Sequence, residues 1–128
     1  MPKANAALFL GPDEPLGVVE ISVDDPGDFE VLLRTAACGV CHSDLHYMQG
    51  SIAGPRPPVV PGHEPAGVVE AVGPRVTSVA VGDHVVACTS MFCGSCAQCI
   101  QGRSHLCSNR AFCTRSRDEP PRLTLDGE

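Results

Sequence analysis

Four of the chain's eight cysteines fall within the fifteen residues CGSCAQCIQGRSHLC, positions 93 to 107. Cys93, Cys96, Cys99 and Cys107 are spaced C-x2-C-x2-C-x7-C, which lets one tight loop converge four thiolates on a tetrahedral centre. Four sulfurs that leave no position for water make a closed, structural zinc site, and Gly94, Ser95 and Gly102 supply the turns. An iron–sulfur cluster is the main metal alternative. In bacterial ferredoxins, however, the fourth cysteine of such a run follows after three residues and precedes proline, whereas here it follows after seven and precedes Ser108. Spacing therefore favours zinc.

A second constellation lies upstream in CGVCHSDLH (38–46) and PGHEPAG (61–67). Cys41 and His63 are soft-to-borderline metal donors, and Glu64 adds a carboxylate beside the histidine. Two ligands alone are weak evidence. Cys38 and Cys41 also read as a C-x2-C redox pair, but such a pair belongs at a helix start in a βαβ context that this chain does not show. Cys38 ends a strand-like run and is expected to be buried as a small apolar side chain.

The elements that must carry these residues are short strands. ALFL, GVVEISV, FEVLLRTAACGV, GVVEAVG and DHVVACTS are β-branched or apolar runs bounded by Gly, Pro or Asp. DDPGD (24–28), GPRPP (54–58) and GPRVTS (73–78) read as turns. The last segment, TRSRDEPPRLTLDGE, is polar with adjacent prolines and is expected to be an exposed loop. Thirteen glycines, twelve prolines and no tryptophan fit a chain that turns often, so a mainly β fold of one domain is expected.

Charge and compartment narrow the function classes. The net charge is −6, with eleven acids and four bases in residues 1–102 and five arginines against four acids in residues 103–128. Neither part reads as a nucleic-acid surface. The opening MPKANAALFLGPDEP is too short for a spanning helix and poor as a secretion signal, so no membrane partner is expected and a cytoplasmic location is. In a reducing compartment clustered thiols bind metal or do chemistry, which sets aside the disulfide framework that an even cysteine count would otherwise allow.

The order CGVCHSDLH, then GHE, then a GVVEAVG strand, then VGDHVV, then the four-cysteine lobe resembles the N-terminal catalytic domain of the zinc-dependent alcohol dehydrogenases, in the medium-chain dehydrogenase/reductase family. The resemblance runs from the opening strand to about Cys107. It implies a GroES-like β-barrel with two zinc sites: residues 1–128 as a partial domain, and a structural zinc lobe at 90–113. By position, Cys93, Cys96, Cys99 and Cys107 match the structural zinc ligands, and Cys41 and His63 match two ligands of the catalytic zinc. Glu64 matches the acid beside that zinc, Ser43 the hydroxyl that touches the substrate alcohol, and His46 the group that passes the released proton to solvent. His42 takes the place of the group set against the cofactor pyrophosphate, and Asp44 that of a buried acid orienting a zinc ligand. The implied reaction is oxidation of primary or secondary alcohols to aldehydes or ketones with NAD(P).

Several features depart from the family pattern. The third catalytic zinc ligand cannot be assigned, and Cys38, Cys88 and Cys113 are spare thiols that no spacing selects. No G-x-G-x-x-G follows a strand, so a nucleotide-binding domain is expected to be absent and NAD(P) not to bind this chain alone. Pro65 directly follows the His-Glu pair and removes a backbone donor there, and Val81 stands where proline often precedes Gly-Asp. The family is homo-oligomeric, but this chain is expected to lack the usual interface. Two readings follow: a fragment of an alcohol dehydrogenase, with part of its barrel edge unpaired, or a stand-alone zinc-binding module without dehydrogenase activity.

Overall fold

The computed structural model describes residues 1–12, 14–54, 56–109 and 118–125. The chain divides into two compact units, Met1–Ala87 with Arg122–Glu128, and Cys88–Pro121.

The first unit is built from two three-stranded sheets. In one, β1 (Lys3–Leu8) pairs antiparallel with β2 (Gly17–Val23), in register from Lys3 opposite Ser22 to Leu8 opposite Gly17. In the other, β3 (Val31–Gly39), β4 (Glu64–Val72) and β5 (His84–Val86) lie in that order, both pairs antiparallel. Neither sheet closes on itself, as expected of an incomplete barrel. The apolar and β-branched runs of the sequence thus become strands, β2 with the bounds of its run and the others with shifted ends. The opening strand starts at Lys3 rather than Ala7, because β2 offers a full set of backbone partners that far back. The last segment is not wholly a loop: β6 (Leu123–Thr124) pairs with the free side of β2. Arg122 holds that return, its Nη2 lying 2.6 Å from Glu30 Oε2 while its carbonyl accepts a hydrogen bond from Asp24 N.

Phe9, Ile21 and Val69 are the buried apolar residues of this unit among those described. Phe9 follows β1 and exchanges two backbone hydrogen bonds with Val59, at 2.8 and 3.1 Å. Burial of that ring is worth about 1.5–3 kcal/mol, and it pins the loop before β4 to the end of β1. Its ring also packs against Tyr47, with centroids 5.1 Å apart.

Tyr47 belongs to α1 (His42–Met48), an element the sequence reading did not assign. Cys41 caps the helix in an extended conformation, and its backbone N–H donates to Asp44 Oδ2 at 2.9 Å. This is one half of a capping box, an acid three residues after the cap. The far end is closed as firmly. Gly50, at φ +69°, lets its own N–H reach Tyr47 O while Ser51 N reaches His46 O, the paired bonds of a Schellman stop.

Strand β4 passes close to the β3 backbone at Gly67. A Cβ there would stand 2.3 Å from the Arg34 carbonyl oxygen, a backbone atom that cannot step aside. Gly67→Ala is therefore expected to cost about 1–3 kcal/mol by overpacking. Gly17→Ala, with nothing within 4 Å of the new methyl, is expected to be neutral or to stabilise by up to about 1 kcal/mol. Urea denaturation of the two variants checks the pair.

Candidate metal centres

The second unit brings the late cysteines together. Cys93 precedes a turn through Gly94, at φ +74°; Cys96 caps the short helix α2 (Ala97–Ile100), Cys99 lies on it, and Cys107 follows a 3-10 turn at Ser104–Leu106. All four sulfurs lie within 4.8 Å of one another. The separations are 3.4 Å for Cys96–Cys99, 3.7 Å for Cys93–Cys107 and 3.9 Å for Cys96–Cys107. A tetrahedral zinc with bonds of about 2.3 Å places its sulfurs about 3.8 Å apart, whereas a disulfide needs about 2.05 Å. The described cysteines are all free thiols. Cys113, the remaining one, lies outside the described residues, as does the end of the expected 90–113 lobe.

The loop prepares these sulfurs for a cation. Backbone N–H groups of Cys96 and Cys93 point at Cys93 Sγ and Cys107 Sγ, at 3.3 and 3.4 Å. Hydrogen bonds from the Cys99 and Ser108 backbones bring the Cys96 thiol down to about 5, and those from Ser95 lower Cys93. Burial, reinforced by the neighbouring Cys96 sulfur, pushes Cys99 up to about 12. Charge is thus placed on some sulfurs while another keeps its proton, the compromise expected of four thiolate donors crowded without a metal. The donor set fits zinc.

The first unit holds the other cluster. Cys41 Sγ lies 3.1 Å from His63 Nε2, near the roughly 3.6 Å at which a sulfur and an imidazole share one tetrahedral zinc. His63 ends the loop before β4, and its Nδ1 lies 3.1 Å from Asp44 Oδ1. Asp44 therefore serves both residues, accepting from Cys41 N with one oxygen and from the imidazole with the other. The side chain is only 13% exposed. A carboxylate acceptor on Nδ1 keeps the ring proton there and leaves the Nε2 lone pair directed at Cys41. Glu64 Oε1 stands 3.9 Å from the same Nε2, its side chain half exposed. Ser43 Oγ is 2.7 Å from Cys41 Sγ and 3.4 Å from His63 Nε2. The Ser43 hydrogen bond is the main cause that lowers the Cys41 thiol. His63 is pulled down by burial but raised on balance by Cys41 and Asp44 together.

The structure therefore gathers Cys41, Ser43, His63 and Glu64, all named from sequence. Asp44, named from the family resemblance as a buried acid orienting a zinc ligand, lies against His63 Nδ1. His46 and His42 lie on the same helix, with rings edge to face at 4.5 Å; His42 is exposed, and His46 Nδ1 is buried without a partner among the described residues. Cys38 corrects one expectation. It is exposed rather than buried, because the inner part of β3 ends before it and only the strand's first three residues are partly covered. Pro65 is accommodated in β4 opposite Cys38, beyond the last β4–β5 residue pair, and its carbonyl accepts from Ala87 N. Beside Ser43 and His63 opens a cleft of about 290 Å³, walled mainly by apolar groups from Tyr47 to Pro61. No helix among the described residues is long and apolar enough to cross a membrane.

An open β unit with a cysteine–histidine pair at a helix start, and a second unit with a four-sulfur cluster, define a domain with two candidate metal centres. A family model for the alcohol dehydrogenase GroES-like domain matches residues 27–117, and the chain belongs to this family. The NDMA-dependent alcohol dehydrogenase of Amycolatopsis methanolica is 47% identical over 105 residues, which are 82% of this chain and 28% of that protein. An S-(hydroxymethyl)glutathione dehydrogenase of Haemophilus influenzae is 47% identical over the same extents. Among solved structures, an alcohol dehydrogenase zinc-binding domain protein from Burkholderia ambifaria superposes with a TM-score of 0.83 at 38% identity, over 98% of this chain and 34% of that one. The benzyl alcohol dehydrogenase of Acinetobacter calcoaceticus gives 0.82 at 33% identity, over 98% and 35%. The chain thus spans about a third or less of the proteins it matches.

Two outcomes test the centres. Cys93→Ser or Cys107→Ser is expected to abolish the tightly held zinc and unfold the lobe, read by metal analysis and circular dichroism; iron with a visible charge-transfer spectrum would overturn the assignment. Protons and zinc compete for the same sulfurs, so apparent affinity rises with pH. Cys99, protonated up to about 12, contributes to that slope at neutrality, whereas Cys96, ionised above about 5, does not. Separately, Asp44→Asn is expected to weaken metal binding at Cys41 and His63 by about 10–100-fold and to spare the lobe, as measured by chelator competition.

Proposed function

We propose that residues 1–128 are the alcohol-binding, zinc-carrying part of an alcohol dehydrogenase that oxidises primary or secondary alcohols to aldehydes or ketones with NAD(P). The observation that carries this reading is the meeting of Ser43 with Cys41 and His63, at 2.7 and 3.4 Å, on the edge of an apolar cleft. Zinc held by Cys41 and His63 supplies Lewis-acid polarisation of a bound alcohol. Cys93, Cys96, Cys99 and Cys107 hold the second, structural zinc.

The chain's own residues do the rest. The apolar cleft takes the alcohol's carbon skeleton and excludes water around it. Ser43 Oγ accepts the hydroxyl proton as it leaves the substrate and in the same step releases its own O–H proton toward solvent. His46 stands three residues further along α1, a spacing that puts both side chains on one helix face, and its imidazole passes the proton outward. Asp44 keeps His63 in the tautomer that presents Nε2. Glu64 offers a carboxylate close to the same nitrogen, and His42, exposed at the helix start, is set to meet the cofactor's pyrophosphate. The free thiols of the described cysteines support a cytoplasmic location.

The test is a chimera in which residues 1–128 replace the matching segment of the B. ambifaria protein. NAD(P)-dependent oxidation of small alcohols is expected, falling at least about 100-fold with Ser43→Ala. A chimera that folds and holds zinc at both sites, yet oxidises no alcohol, overturns the reading.

A further inference from the structure

Tyr47 forms one wall of the cleft, one helical turn beyond Ser43. Two features fix its ring. The first is Phe9, only 2% exposed and tied by two backbone hydrogen bonds to Val59, whose ring packs on Tyr47 at 5.1 Å. The second is Gly54, also in the cleft wall. A Cβ at residue 54 would fall 2.3 Å from Tyr47 Cε2 and 2.4 Å from Cδ2, so the ring occupies space that exists only because residue 54 has no side chain. A rigid ring backed by a buried one does not yield as the tip of a flexible side chain does.

The geometry points to Tyr47, seated by Phe9 and Gly54, as the residue that determines how large a carbon skeleton fits beside Ser43. This inference rests on the functional reading above. Apart from Ser43, Asp44, His63 and the Tyr47 hydroxyl the lining is apolar, so an uncharged alcohol is the ligand it suits. At liquid-like filling of about one half, 290 Å³ takes about 150 Å³ of ligand, a single six-membered ring on a short chain. Loss of the Tyr47 ring lengthens the cleft toward Phe9, whereas a methyl group at residue 54 drives the ring out of its seat.

Tyr47 is the chain's one tyrosine and there is no tryptophan, so intrinsic fluorescence reports on this wall alone. The zinc-loaded protein is titrated with two non-absorbing probes, cyclohexylmethanol and 1-adamantanemethanol, following tyrosine emission and the His63 NMR resonances together. Cyclohexylmethanol is expected to move both signals saturably and to bind at least about tenfold more tightly than the adamantyl alcohol. Tyr47→Ala is expected to shift that ratio at least about tenfold toward the larger alcohol, and Tyr47→Phe to preserve it. Gly54→Ala is expected to weaken cyclohexylmethanol binding about tenfold, and the double variant Tyr47→Ala/Gly54→Ala to recover it, because the clash needs both groups. Where alanine at 47 unfolds the domain, Tyr47→Leu carries the same comparison. If His63 responds to alcohol but the ratio is unchanged by loss of the ring, or Gly54→Ala has no effect, the role of Tyr47 is overturned while the alcohol site stands. If neither alcohol moves His63 or Tyr47, the alcohol site itself fails, and the inference with it.

Discussion

The Asp44 carboxylate is the constraint on which the candidate catalytic centre depends. One oxygen receives the Cys41 backbone N–H at 2.9 Å and the other lies against His63 Nδ1 at 3.1 Å. A single largely buried side chain therefore starts the helix and aims the imidazole. The sulfur and nitrogen meet because both answer to the same carboxylate, although nineteen positions separate Asp44 from His63. A buried carboxylate is costly unless its oxygens are occupied, and here that requirement and the geometry of the site coincide.

The two centres use opposite solutions to metal binding. In the lobe all donors come from one short stretch and backbone N–H groups turn toward the sulfurs; four sulfur donors would fill the coordination of a tetrahedral zinc. Near Cys41 the donors come from a helix cap and a distant loop, and one side faces a cleft. A closed shell suits holding shape; an open one suits exchange. The strands contribute by fixing where the loop returns: β4 begins at Glu64, immediately after His63, and the Phe9–Val59 bridge locks the approach to it.

Much of this arrangement was legible in the residues. The late cysteine spacing alone specified a converging four-sulfur loop, and β2 appeared with the bounds its β-branched run suggested. The helix at His42–Met48 was hidden because its seven residues give too little period to read, and because Cys41 and Asp44 stand out first as a metal donor and the acid that orients one rather than as a helix cap. Exposure of Cys38 and the pairing of β6 with β2 were illegible for another reason. Each depends on which distant strand lies alongside, and a two-residue strand such as Leu123–Thr124 carries no pattern of its own. Glycine 54 was likewise silent in sequence, its meaning appearing only once Tyr47 stood against it.

The return of the chain through Arg122 to β6 bears on tolerance to changes of length. The segment Cys88–Pro121 leaves the first unit after Ala87 and comes back to it at Arg122, so it is rooted at both ends in one scaffold. Loop-closure cost grows only logarithmically with length, about 0.6 kcal/mol for each doubling. A change of length in that excursion outside the cysteine loop therefore costs the strands little so long as the Asp24, Glu30 and Arg122 contacts at its root stay as they are.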